Sequence, residues 1–554
     1  MPIASSFPPI EIPGADIWSF LFEPLLEYPE SKAIFVDPYA SRSYTRAQVK
    51  AAAADFGRGL KAIYGWRKGD VLALFTPNCI DTPVVTWGCH WAGGVVSPAN
   101  PTYTAEELAF QLKDCGAKAL VTQWPVSKAA RQAAQQAGID DDRIILIGDG
   151  RDPDGRFKHF TSIRNTSGAV RYRRTKLDAA KDLAFLVYSS GTTGLPKGVM
   201  LTHRNLVANL CQLRVAEVGD KLSWKGGLGG DGDKILGFLP FFHIYGLNVL
   251  IHLPLLVGLT VVVMPKFDIE GFCELVQRYK ITYTYVAPPV VLLLSKHPAV
   301  EKYDLSSLRM LNSGAAPLTR ELTFAAYDRT KVPIKQAYGL SETSPSTHVQ
   351  PWDDWDKTTG CAGRLIPNET AKLMSTEEQE VASGEAGEIW IKGPNIFVGY
   401  WNNPEGTAAA LTPDGYFKTG DIGYVDAEGN FYVTDRVKEL IKYKGFQVAP
   451  AELEGLLVSH PNVADAAVVG VFSEDRATEL PRAYVVPSPG GARDEGAARG
   501  LTDWLAARVA DSKKLRGGLV FVDEIPKSAS GKILRRVLRE RARDESRTAG
   551  RARL

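Results

Sequence analysis

Between Tyr188 and Gly198 the chain reads Tyr-Ser-Ser-Gly-Thr-Thr-Gly-Leu-Pro-Lys-Gly. Gly191 and Gly194 permit backbone turns that point successive N–H groups inward, a nest for phosphate oxygens. The hydroxyls of Ser189, Ser190, Thr192 and Thr193 add donors, and the Lys197 ammonium adds a point charge. The order Lys197-Gly198 is not that of a Walker A loop, which joins Gly, Lys and Ser/Thr directly. The segment therefore reads as a phosphate-binding loop of a different kind.

A loop of this sort needs rigid elements on both sides. Strand-like Leu183–Tyr188 precedes it, and Val199–Leu201 followed by Thr202-His203 leads into a helix at Asn205. Upstream, the patches Val71–Phe75, Thr82–Ala92, Val95–Ser97, Glu106–Asp114 and Ala119–Val121 alternate strand and helix patterns. The alternation continues through 183–188, 203–218, 235–239, 260–263, 270–279 and 283–286, and it predicts crossover units around a largely parallel sheet. After about residue 365 short strands such as Ile389–Lys392 and Phe431–Val433 sit between turns such as Thr412-Pro-Asp-Gly415. That texture predicts hairpins closing a small barrel or antiparallel sheet. A further α+β pattern then runs to the end.

The 554 residues allow three or four structural units. With 65 Lys+Arg against 63 Asp+Glu the formal charge is +2, so no overall basic field points to nucleic acid. Six cysteines lie far apart with no Cys-x-x-Cys pair, which fits free thiols in a reducing compartment. Met1–Pro13 carries no secretory pattern. The apolar run Val249–Met264, broken by His252, Pro254 and Gly258, is too short to span a bilayer. It predicts a helix end followed by a strand at Leu259–Val263. Gly226–Gly232 reads as an exposed loop without assigned function. The end is basic, with eight arginines and three acids from Arg535 to Leu554. Its last residues, Ala552-Arg553-Leu554, resemble the small–basic–leucine address read by the peroxisomal import receptor. The expected location is the peroxisome, or otherwise the cytoplasm.

Further segments recur in a fixed order. They are Phe238-Leu-Pro-Phe-Phe-His243, Ser313-Gly-Ala-Ala-Pro317, Tyr338-Gly-Leu-Ser-Glu342, Thr419-Gly-Asp421 and Asp435-Arg436-Val-Lys438. Two more are Lys442-Tyr-Lys-Gly-Phe-Gln-Val-Ala-Pro-Ala-Glu452 and Pro526-Lys-Ser-Ala-Ser-Gly-Lys532. Taken singly, Asp421 in its turn or Lys532 in its Ser/Gly loop reads as an ordinary solvated residue. Together, from about residue 30 to 540, the segments resemble the adenylate-forming enzymes, which include acyl- and aryl-CoA ligases, luciferases and carrier-protein-loading domains. The last two segments look most like the 4-coumarate–CoA ligase branch.

The resemblance implies a large N-terminal domain, residues 1–434, of two β/α subdomains and a small β-barrel. A hinge at 435–438 would join it to a mobile α+β lid, 439–540, followed by a basic tail, 541–554. It implies ATP, Mg²⁺ and CoA as reaction partners. A carboxylate would attack the α-phosphate of ATP to give an acyl-adenylate and pyrophosphate; a thiolate would then expel AMP. Both halves need charge stabilised on phosphate oxygens more than they need a nucleophilic side chain.

Carried over residue by residue, Ser189–Gly194 and Lys197 would hold phosphate. Gly314, Ala315, Ala316, Gln336, Ala337, Tyr338, Gly339 and Ser341 would surround the nucleotide, with Tyr338 stacked on the purine. Asp421 and Arg436 would grip the ribose, and Glu342 would hold the metal. Lys532 would neutralise charge during adenylation. Rotation at Lys438 would then replace it with Lys442, Lys444, Gly445 and Gln447 for attack by CoA. His243, Tyr245, Val249, Asn312, Ala316, Ala337, Pro345 and Ser346 would line an acyl pocket. Relatives that activate amino acids commonly carry an Asp where His243 falls, so this pocket argues for an aryl or medium-chain acid without an ammonium. The alternatives are a freestanding enzyme loading a carrier protein for secondary metabolism, a luciferase-type oxygenase, and a catalytically silent binder.

Overall fold

In a computed structural model of the chain, the described residues are 2–551 other than 190–195, 383, 437, 445, 474, 475, 477 and 530. Strand Val71–Phe75 is buried at every position and sits between Val95–Ala99 and Ala117–Thr122, paired to both in parallel. A parallel sheet covered on both faces needs such an unbroken apolar run. Outward from these strands the sheet has eight, in the order Gly399–Tyr400, Lys197–Thr202, Leu183–Ser189, Val95–Ala99, Val71–Phe75, Ala117–Thr122, Ile144–Leu146 and Lys158–His159. Helix Thr82–Ala92, wholly buried, provides one crossover. Helix Arg46–Tyr64 packs on it, starting from a Thr45–Gln48 capping box and ending at Gly65 with φ 60°.

A second sheet has nine strands. Its central members, Met310–Ser313, Tyr283–Val286, Lys234–Gly237, Thr260–Val263 and Ala33–Asp37, run parallel. One continuous core joins the two sheets, with Trp87, Phe185 and His252 in edge-to-face contact at its centre. The helix predicted over 203–218 is α-helical over His203–Leu213, and Arg214–Val218 widens into a π-helical turn. The Val249–Met264 run is helical as far as Val257 and then forms strand Thr260–Val263. No helix among the described residues is long and apolar enough to cross a membrane.

The third unit is a five-stranded antiparallel sheet ordered Ile3–Ala4, Thr370–Met374, Gly387–Lys392, Phe417–Val425 and Phe431–Arg436. The C-terminal unit has its own core around Leu453, Leu457, Val468, Val485 and Leu505. There, strands Val463–Ser473 and Thr478–Pro487 pair antiparallel, and Leu519–Phe521 adds in parallel. Hairpin Ile441–Tyr443/Phe446–Val448, helix Pro450–Ser459 and helix Arg535–Arg551 flank them.

Candidate active site

Two joined cavities, of about 750 and 450 Å³, open between the N-terminal body and the C-terminal unit. Tyr338, Gly339, Arg436 and Lys532 line both. A lysine from the far end of the chain thus stands at their junction.

In the larger cavity, Asp421 and Arg436 lie directly opposite each other on neighbouring antiparallel strands, so their side chains share one face. Arg436 Nε donates to Asp421 Oδ1 at 3.0 Å, and the Tyr338 hydroxyl donates to Oδ2 at 2.6 Å. Burial and the neighbouring Asp421 charge hold the Tyr338 phenol well above its ordinary range, so it stays a donor. Ala316 and Gln336 extend this wall. Ala315, which faces both cavities, takes φ 74°, a left-handed conformation uncommon for a residue with a Cβ.

The smaller cavity gathers Ser189, Lys197, Ser341 and Glu342 with His243, Tyr245, Gly314, Ala337, Pro345 and Ser346. Ser189 and Lys197 lie directly opposite each other on adjacent antiparallel strands. Glu342 Oε1 accepts from the Tyr400 hydroxyl at 2.9 Å, and the Lys197 ammonium lies 5.1 Å from the Tyr400 ring centre. No cluster of three or more metal-binding side chains occurs among the described residues. One carboxylate beside a lysine and two hydroxyls suits a hard cation that takes its other oxygens from a phosphate ligand and water.

Lys532 reaches the junction on a tight turn. Its carbonyl accepts from Ser528 N at 2.8 Å and its own N–H donates to Ser528 Oγ at 3.1 Å. Burial, then the Arg436 charge, pushes its ammonium down to about 8, against the pull of Asp421, Glu342 and Glu439. Burial and the Lys532 charge likewise push the His243 imidazole down to about 3, so it is neutral at physiological pH. The residues expected to serve CoA lie on the C-terminal unit. Lys442 and Lys444 are exposed on the hairpin Ile441–Tyr443/Phe446–Val448, and Lys442 lines the larger cavity. Lys438 borders both cavities. Ser190, Gly191, Thr192, Thr193, Gly194 and Gly445 lie outside the described residues, as do the Gln447 side chain and Ala552-Arg553-Leu554.

Val249 and Asn312, expected in the acyl pocket, border neither cavity. Val249 is 1 % exposed within the packed helix, and Asn312 is 2 % exposed. Tyr245 stands between the cavity and Asn312. A Cβ on Gly314 would sit 3.0–3.1 Å from its hydroxyl and ring, so the hydroxyl end of the ring packs closely against the glycine. Its hydroxyl donates to the Asn312 carbonyl at 3.2 Å and closes the pocket there. Behind it, Asn312 Nδ2 donates to Glu217 Oε1 at 2.9 Å, and Lys335 Nζ pairs with Glu217 Oε2 at 2.6 Å, both side chains at most 1 % exposed. Tyr283 also donates to Glu217.

Sequence reasoning missed Glu217, Lys335 and Tyr400. It also missed Asn209 and Asn395, which both donate to the Ser346 carbonyl, at 2.8 and 3.1 Å. Tyr400 gave one signal only, a Gly-Tyr pair entering a turn-rich segment.

Residues 22–401 match the family described as AMP-binding enzyme, and residues 452–532 match the AMP-binding enzyme C-terminal domain. A probable 4-coumarate–CoA ligase 1 of Dictyostelium discoideum is 39 % identical over 550 residues, 97 % of either chain. Among solved structures, ATP-bound MatB from Rhodopseudomonas palustris aligns with a TM-score of 0.82 and 29 % identity, over 96 % of this chain and 99 % of that one. The anthranilate CoA ligase AuaEII in complex with anthranoyl-AMP aligns with a TM-score of 0.84 and 25 % identity, over 96 % and 98 %.

Proposed function

The chain belongs to the AMP-binding enzyme family, and from that premise we propose that it is an ATP-dependent acid–CoA ligase. It activates an aryl or medium-chain carboxylic acid as an acyl-adenylate and transfers the acyl group to CoA with release of AMP. The observation that carries the reading is convergence. Lys532 from the C-terminal unit meets Lys197, Glu342, Asp421 and Arg436 of the N-terminal body around two joined cavities. Relatives named as 4-coumarate–CoA ligases and a structure holding an aryl-adenylate support it.

In the first half-reaction, Tyr338, Asp421 and Arg436 hold the nucleoside. Lys197 meets the phosphates, and the Lys532 ammonium offsets negative charge as the carboxylate oxygen approaches the α-phosphate. Glu342 would hold Mg²⁺, which supplies further neutralisation of phosphate oxygens when bound. The neutral His243 ring and Tyr245 border the acyl group and offer no counter-charge for an ammonium. In the second half-reaction, turning of the lid at Lys438 withdraws Lys532 and brings in the hairpin carrying Lys442, Lys444, Gly445 and Gln447, so that the thiolate reaches the activated carbonyl.

The test is pyrophosphate release across a panel of aryl and medium-chain acids, with and without CoA. Acid-dependent release with CoA-dependent thioester supports the reading. Release without a CoA thioester would favour loading of a carrier protein, and no release with any acid would favour a silent binder. A second assay concerns location. A fluorescent fusion ending in Ala552-Arg553-Leu554 is expected in peroxisomes, and one extended beyond Leu554 is expected outside them; equal import of both would refute the address.

A further inference from the structure

The helix Pro450–Ser459 belongs to the C-terminal unit, yet both of its ends are held by the N-terminal body. At its start, Ala449 provides no side-chain cap. Instead, Asp435, the first residue of the expected hinge segment, accepts from Ala451 N through Oδ2 at 3.3 Å and is itself 5 % exposed. At its finish, Lys296, the last residue of helix Pro288–Lys296, donates to the Val458 carbonyl at 3.0 Å and to the Val463 carbonyl just beyond at 2.6 Å. A carboxylate at the N-terminus and an ammonium at the C-terminus are the charges that a helix dipole favours. Between the two ends the contact is close. A Cβ on Gly455 would come within 2.1 Å of Thr319 Cγ2, so only glycine lets this helix lie against helix Arg320–Thr330.

These three contacts occur while Lys532 stands at the junction of the cavities and Lys442 is exposed. We propose that Asp435, Lys296 and the Gly455–Thr319 contact form a two-ended latch on the lid helix, making Lys296 and Asp435 positioning residues for adenylate formation. Neither residue touches the reacting atoms; each acts by holding the lid in the orientation that presents Lys532. The latch must open before the hairpin carrying Lys442 can enter. This inference rests on the two-orientation reading of the ligase reaction given above. The Asp435 carboxylate has a cost that suits release. Burial pushes it up to about 6 despite the nearby Arg535 charge and two backbone donors, with Glu454 adding to the rise.

The test pairs two readouts in the full chain. In Lys296→Ala, amide hydrogen exchange over residues 450–459 is expected to quicken about fivefold, a typical loss for one charge at a helix end. Single-turnover adenylate formation should slow by the same factor. Thioester formation from supplied acyl-adenylate should stay within twofold of the wild type. Lys296→Arg should restore both readouts, and Gly455→Ala should reproduce the Lys296→Ala effects more strongly. Unchanged exchange in both Lys296→Ala and Gly455→Ala would overturn the latch, as would equal slowing of the two half-reactions. Quickened exchange in a protein whose wild type forms no adenylate would contradict the ligase reading and leave the latch standing.

Discussion

The hydroxyl of Tyr400 donates to Glu342 Oε1 at 2.9 Å, while the same ring lies 5.1 Å beneath the Lys197 ammonium. One aromatic residue thereby links the carboxylate expected to hold the metal to the lysine expected to hold phosphate. Burial and the Glu342 charge raise the Tyr400 phenol, so it remains a donor throughout the physiological range. A hydrogen bond to a charged group contributes about 1.5–3 kcal/mol. Tyr400→Phe is therefore expected to slow adenylate formation roughly 10- to 100-fold and to weaken Mn²⁺–ATP binding measured by calorimetry. Thioester formation from supplied acyl-adenylate should be unaffected. Unchanged metal–nucleotide binding would contradict this role.

Lys532 gives a pH prediction. Burial and the Arg436 charge push its ammonium down to about 8, and in the proposed adenylation the protonated form offsets charge on the α-phosphate. The kcat/KM for ATP in pyrophosphate release should therefore fall as pH rises through about 8. Lys532→Arg, charged at all accessible pH, should remove that limb. Lys532→Ala should lower adenylation by about 10²–10³ and spare thioester formation from supplied adenylate. Equal loss of both half-reactions would contradict the assignment.

Tyr245 packs against Gly314 at the wall of the smaller cavity, the proposed acyl pocket. Tyr245→Ala should extend the cavity toward Asn312 and the Glu217–Lys335 pair. Longer or ring-extended acids should gain in kcat/KM relative to the best wild-type substrate. One added methylene in an apolar pocket is worth about 1–3 kcal/mol, so a tenfold change in relative preference is the expected scale. A competition assay with paired acids reads this directly, and an unchanged ranking would refute the boundary.

Four histidines are fully buried, His90, His203, His252 and His348, and burial pushes them down to about 3, 4, 3 and 3. Their unfolded value is about 6.5. Below that pH the unfolded chain binds protons that the folded chain does not, so stability is full above about 6.5 and declines as pH falls. Each contributes a loss of roughly 2 kcal/mol at pH 5. The urea midpoint should drop between pH 7.5 and 5.0, and His252→Gln should show a shallower drop. Identical slopes for the two proteins would contradict it.

Strand Val71–Phe75 and helix Thr82–Ala92 stand in the structure at the bounds their patterns predict. A strand buried on both faces and a helix buried all round carry their environment in their composition. The Gly/Ser/Thr segment from Tyr188 to Gly198, Asp421, Arg436 and Lys532 were legible as separate segments, because glycine turns and lone charges stand out in a chain. Their convergence was not legible from spacing and came only from resemblance. The Glu217–Lys335 pair spans 118 positions and gives no local signal. Asn312 looked available to substrate because nothing in the sequence says that the Tyr245 ring closes the pocket in front of it. Asp435 stood in a quoted motif, but its contact with helix Pro450–Ser459 and that of Lys296 gave no local signal, since each reaches a helix far along the chain.

The central claim is that a carboxylate oxygen attacks the α-phosphate within the joined cavities. The most direct test is a single turnover with an acid labelled with ¹⁸O in its carboxyl group, in the presence of ATP and CoA, with products weighed by mass spectrometry. The account predicts one ¹⁸O in the AMP released and none in pyrophosphate. Label in inorganic phosphate with ADP as the nucleotide product, or AMP free of label, would contradict it.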